Sequence, residues 1–226
     1  MKKRILCYGD SNTWGYKPVT GERYDEDERF TGVLARELGR QGTVVLCTTT
    51  RIYPARNCFT LYDPDEETLG EALKAFRVIC VGRTEREGKL SAPGLSTEIL
   101  CHLADFVLVE ADGSKRLPLK AHEAYEPVIP RETGQTICVV GLSGLEKTVQ
   151  QAAHRPERYA KLAGIALEDP VTPQAAARVL RAEGLGDRVL LNQADDEHFQ
   201  ALGRVLQAEL MVPTVIGSLW KGLVLC

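Results

Sequence analysis

The amino-acid sequence predicts an α/β domain with a mainly parallel sheet and helices on both faces. Three observations carry this. Short runs of the chain are apolar throughout, as strands buried on both faces must be. They alternate with segments whose apolar residues recur at helical spacing. Most of the runs stop at a glycine or a polar residue, where a strand end would meet solvent. With 226 residues, 44% of them hydrophobic and 26% charged, the chain has the length and composition of one ordinary globular α/β unit.

The elements follow in order. Residues 5–8 are a buried strand ending at Gly9. Residues 30–39 place Phe30, Val33, Leu34 and Leu38 on one helical face, with Gly39 or Gly42 as the stop. Strands are predicted over 44–47, 77–81, 106–109, 136–140, 188–191 and 213–216. Helices are predicted over 69–76, 96–104, 173–183 and 197–210. Residues 13–29 and 115–135 read as irregular, and the first is long enough to suggest a functional loop.

The formal net charge is −3, from 28 Lys and Arg against 31 Asp and Glu, which excludes a general basic footprint for nucleic acid. No apolar run approaches a membrane span, and the first residues lack the apolar stretch of a signal peptide. No membrane partner is expected, and the cytoplasm is the expected compartment. Seven cysteines occur, none in C-x-x-C spacing, and Cys7, Cys47, Cys80 and Cys138 sit inside apolar runs as small core residues.

In a parallel sheet the ligand sits beyond the carboxyl ends of the strands. Ser11 follows the first strand in Gly9-Asp10-Ser11-Asn12, where a tight turn would expose it as a nucleophile. Glu110 and Asp112 follow the strand at 106–109. A carboxylate there, Asp112, suits a Mg²⁺ ion beside a phosphate, although Asp-Gly is also a common turn pair. Asn192-Gln193-Ala194-Asp195 follows the strand at 188–191. Asn192 and Asp195 could meet the edge of a nucleotide base, or form a helix cap.

The run at 5–16, with Thr20-Gly21-Glu22-Arg23-Tyr24, resembles the first block of SGNH (GDSL-type) ester hydrolases over residues 1–38. The resemblance implies Ser11 as nucleophile, with its own amide in an oxyanion hole. Asp195-Asp196-Glu197-His198 matches that family's Asp-x-x-His, making Asp195 and His198 the remaining catalytic candidates. The family's glycine-bearing block is replaced by Cys47-Thr48-Thr49-Thr50-Arg51-Ile52-Tyr53-Pro54, and its Gly-x-Asn-Asp block is missing.

The rest of the chain, from about residue 30 to 226, resembles the YqeC family. The likeness lies in residues 104–121, Glu126-Pro127-Val128-Ile129-Pro130, Thr48 to Pro54, Val139-Val140-Gly141-Leu142, His154-Arg155-Pro156-Glu157 and Leu191 to Asp195. It implies a P-loop NTPase-like body and an accessory role in maturing selenium-dependent molybdenum hydroxylases. A molybdenum hydroxylase or its maturation factors would be the partners. Lys115 and Lys120 become candidates for an anion, Lys120 alternatively a solvated loop lysine, and Thr48 and Thr49 candidates to line the site. The family's phosphate loop, ending Gly-Lys-Thr-Thr, is replaced by residues 9–29, and no G-x-x-x-x-G-K-[ST] occurs. Without its amides and lysine, Mg²⁺ with ATP or GTP is expected to bind weakly. The chain therefore reads as a single α/β domain over 1–226, with a hydrolase-like segment at 1–38 and a YqeC-like body at 39–226. A nucleotide-binding accessory protein leads. An ester hydrolase using Ser11 and an inactive chimeric binding protein are the alternatives.

Overall fold

β1 (Ile5–Gly9) lies between two later strands in the middle of the sheet, and the other elements are built outward from it. The computed structural model describes residues 5–9, 30–55, 58–219 and 221–225. After β1 come α1 (Phe30–Gly39), β2 (Val44–Thr48), β3 (Phe59–Tyr62), α2 (Glu66–Ala75), β4 (Val78–Thr84) and β5 (Leu90–Ser91). Then follow α3 (Thr97–Leu103), β6 (Phe106–Glu110), β7 (Leu119–Lys120), β8 (Thr136–Gly141), α4 (Val149–Ala152) and β9 (Ala153–His154). The chain continues through α5 (Pro156–Ala163), α6 (Pro173–Glu183), β10 (Arg188–Asn192), α7 (Glu197–Ala208), β11 (Thr214–Ser218) and β12 (Leu223–Leu225).

The main sheet runs β12-β11-β10-β8-β1-β6-β2-β4-β3, with β5 added to β4. Every pairing in it is parallel except β11 with β12 and β4 with β5. The predicted class is therefore the observed one. Successive side chains of a strand point to opposite faces, and the core divides accordingly. Val45, Cys47, Val107, Val109, Cys138, Val140, Val189 and Leu191 pack on the face that carries α2, α3, α5, α6 and α7. Val44, Leu46, Phe106 and Leu108 pack on the other face, against Ala35 and Leu38 of α1.

The helices begin where a side chain can satisfy their open amides. Asp65 accepts from Thr68 N, Thr172 from Ala175 N and Asp196 from Phe199 N. Gly164 and Gly184 end α5 and α6 in the left-handed region, as helix-stopping glycines do.

The predicted strands and the first helix reappear within a few residues. Several short elements do not follow from the pattern. β3 is an edge strand, half-exposed, so it lacks the apolar signature of a central one. α5 buries only Tyr159, Ala160 and Ala163, and two of those are alanines that give little periodic signal. The segment predicted as irregular at 115–135 contains β7, which pairs with β9 in a separate two-stranded sheet. The predicted loop at 13–29 lies outside the described residues. Among the described residues, no helix is long and apolar enough to cross a membrane. The cysteines described, Cys47, Cys58, Cys80, Cys101 and Cys138, are free thiols.

Candidate functional site

β2, β6, β8 and β10 all run parallel, so their carboxyl ends share one rim. Thr48, Asp112 and Asn192 stand there, as the strand ends predict. Ser11 lies outside the described residues.

The loop after β6 is fixed from several directions. Gly141 N donates to Pro118 O at 3.0 Å and Val128 N to Ala111 O at 3.3 Å. Thr48 Oγ1 donates to Glu110 O at 2.7 Å, and Thr49 Oγ1 to Val128 O at 2.8 Å. Both threonines thus tie loops to the rim. Gly144 lets the loop approach closely, since a Cβ there would fall 2.6 Å from Leu119 Cγ.

Inside this loop lies a closed set of charges. Lys120, at the end of β7, points inward with its side chain 2% exposed. Its ammonium donates to Asp112 Oδ1, to Gly113 O at 2.8 Å and to Glu126 Oε2 at 2.7 Å. An ammonium has three protons, so the fold takes all of them. Asp112 Oδ2 meets His122 Nε2 at 2.8 Å. Glu183, the last residue of α6, receives His122 N at 2.6 Å and meets His122 Nδ1 at 2.8 Å. Arg155 pairs with Glu126 Oε1 and donates to Ala121 O at 3.3 Å and Tyr125 Oη at 3.3 Å.

Both ring nitrogens of His122 face carboxylates, which only accept. Both must therefore carry protons for the two bonds to form. Burial works against that charge. The hydrogen bonds to Asp112 and Glu183, with their negative charges, outweigh it and lift the imidazole to about 9. At neutral pH the set holds three cations, Lys120, His122 and Arg155, and three anions, Asp112, Glu126 and Glu183. Burial raises the Glu126 carboxyl, but Lys120 and Arg155 bring it below the usual range.

Other predicted residues are placed differently. Lys115 lies on the exposed side of the loop. It and Arg116 occupy the left-handed region at φ 53° and 69°, in a turn closed by Leu117 N to Ser114 O at 3.0 Å. Two non-glycine residues in that region cost on the order of 1 kcal/mol each, and such strain collects at functional sites. Asn192 Oδ1 accepts from Leu219 N at 3.1 Å, and Asp195 Oδ1 accepts from Ser218 Oγ at 2.6 Å. Gln193, between them, is also left-handed and accepts from Ser143 Oγ at 2.5 Å. His198 meets Glu146 Oε2 at 2.7 Å on the surface. Asp195 and His198 therefore engage separate partners here.

The donor set does not fit a Mg²⁺ ion. Both oxygens of Asp112 are already committed, and among the described residues no group of three His, Cys, Asp or Glu could hold a metal. No metal step is assigned. The residues that pattern reasoning missed are His122, Glu126, Arg155 and Glu183. Glu126 and Arg155 stand in segments that carry the YqeC likeness, so that likeness could have flagged them. His122 and Glu183 carry no sequence signal, since 61 residues separate them.

Comparison with known proteins adds two findings. A family model described as YqeC protein matches residues 31–157, more than half of the chain. That span contains Asp112, Lys120, His122, Glu126 and Arg155, and it begins within residues 1–38. A relative described as "Uncharacterized protein YqeC", from Escherichia coli (strain K12), is 29% identical over 140 residues, 58% of this chain and 55% of the relative. The chain thus spans about half the length of that relative.

Proposed function

The chain belongs to the YqeC family, and from that premise we propose that it is an accessory protein for maturing selenium-dependent molybdenum hydroxylases, which holds a nucleotide-class ligand at the carboxyl rim. One observation carries the reading. The buried charges at Asp112, Lys120, His122, Glu126, Arg155 and Glu183 balance one another and lock the loop of residues 111–126 in place. A locked loop presents Lys115 and Arg116 on the rim without reorganisation on binding. Asn192 and Asp195 stand farther along the same rim, beyond β8, oriented by Leu219 and Ser218. In this arrangement Lys120 supports the loop, and the exposed Lys115 faces the ligand. Binding is weak because the sequence has no amide cradle of the phosphate-loop kind. A molybdenum hydroxylase or one of its maturation factors is the partner.

Two measurements test this. Calorimetry of the full chain should give weak, saturable binding of MgATP or MgGTP, reduced at least about tenfold by Asn192→Ala. No binding of either nucleotide at millimolar concentration would overturn the ligand part. Deleting the gene should lower selenium-dependent hydroxylase activity, and the wild-type chain should restore it. Unchanged activity on deletion would overturn the accessory role.

A further inference from the structure

We propose that the cleft between the end of α6 and the segment leading into β11 binds a small uncharged molecule, with an apolar ring body and one N–H or O–H that donates to Glu183. The cleft lies where β10 and β11 begin, at the opposite end of β10 from Asn192. It is therefore separate from the rim assigned to the nucleotide, and neither reading depends on the other.

The cleft holds about 200 Å³. Leu180, Leu185, Val189, Leu210 and Val212 form its walls, and Met211, 93% exposed, stands at its mouth. A space of ~150 Å³ already holds a benzene-sized molecule, and apolar walls give water few partners. Size and lining therefore suit one small ring system. Arg181 Nη1 donates to Glu209 O at 2.7 Å and to Glu209 Oε2 at 3.2 Å. That pair ties α6 to the end of α7, so the two walls they carry are fixed before anything binds.

The inner end is polar. His122 and Glu183 line it, with side chains 8% and 9% exposed. A second space of about 30 Å³, lined also by Lys120 and Tyr159, shares His122, Cys138, Leu180 and Glu183 with the cleft. It has room for about one water, or for one polar group of a ligand. The charged groups there differ in what they have left. Lys120 commits its protons to Asp112, Gly113 and Glu126, and His122 commits its ring protons to Asp112 and Glu183. Glu183 accepts one bond on each oxygen, from His122 N and His122 Nδ1. A carboxylate has about four lone-pair sites, so Glu183 keeps room for a further donor. The open capacity of the charged groups is thus that of an acceptor, and it selects a ligand that donates. The buried set already balances its charges, so a charged ligand would leave a net charge out of water. A neutral N–H or O–H does not.

Indole, neutral with one N–H, is the probe. Met211 is one of two methionines, so its methyl signal can be assigned with Met211→Leu and followed by NMR in the full chain. Indole should shift that signal saturably, with a Kd of about 1 mM or tighter. Indene has the same shape without the N–H. It should bind about fivefold to tenfold more weakly, the worth of one hydrogen bond. Benzoate, whose carboxylate would face Glu183, should bind at least about tenfold more weakly than indole. Val212→Trp, at an exposed position of the wall, should fill the cleft and abolish the indole shift. The thermal midpoint of that variant should stay within about 2 °C of wild type. No saturable shift with indole, equal affinity for indole and indene, equal affinity for benzoate, or binding that survives Val212→Trp would each overturn the proposal.

Discussion

Replacing Lys120 with methionine should be among the most damaging single changes in this protein. Methionine keeps most of the apolar stem and removes only the charge and its three donors. Asp112, 1% exposed, would lose one partner and keep His122. Glu126 would keep Arg155, and Gly113 O would be left without the ammonium. Removing one member of a buried ion pair typically costs about 3–5 kcal/mol, since the remaining charge stays out of water. The two surviving partners place the expected loss toward the lower end, about 3–4 kcal/mol. That is a large share of the roughly 5–15 kcal/mol that a domain has in total. For a chain of this size it lowers the thermal midpoint by about 10 °C. The assay is urea denaturation followed by circular dichroism, with calorimetry for the midpoint. Adding Asp112→Asn to the methionine variant removes the stranded charge and should recover part of the loss. Glu37→Ala serves as control, because its pair with Arg40 has side chains 47% and 69% exposed and is worth about 1 kcal/mol at most. A Lys120→Met variant within about 1 kcal/mol of wild type would refute the closed charge set.

Two further outcomes follow from the same geometry. The folded pKa of His122 is raised to about 9 from 6.5, so its contribution is complete below pH 6.5 and is lost as pH rises toward 9. His154, lowered to about 4 from 6.5, acts oppositely: stability is complete above pH 6.5 and falls as the pH drops toward 4. Glu126, held low, adds to the acid-side loss below its ordinary 4.5. Denaturation midpoints from pH 4 to 9.5 should therefore fall on both sides, and His122→Gln should flatten the alkaline limb, worth about 3 kcal/mol. Gly144→Ala should destabilise the fold by about 1–3 kcal/mol, because the new methyl meets Leu119 Cγ at 2.6 Å and Pro118 Cγ at 3.0 Å. Urea midpoints read that loss, and an unchanged midpoint would mean the Leu119 loop yields freely.

What the sequence by itself determined was the sheet and its rim. A strand covered on both faces must be apolar throughout, so 44–47, 106–109, 136–140 and 188–191 could be read directly. Parallel order then fixed Thr48, Asp112 and Asn192 at one edge, because each directly follows such a run. The tertiary structure alone decided what those residues touch. Lys120 reads as a loop lysine, yet the pairing of β7 with β9 turns it inward onto Asp112 and Glu126. His122 gains its charge only because the end of α6 delivers Glu183 to one ring nitrogen while Asp112 holds the other. His154 is held low first by its burial and then by the charges of Lys120, Arg155 and Lys115, which come from separate segments of the chain. Burial and strand alternation are local properties of a chain and leave a periodic trace. Charge compensation depends on distances between segments far apart in sequence, and those distances exist only once the chain has folded.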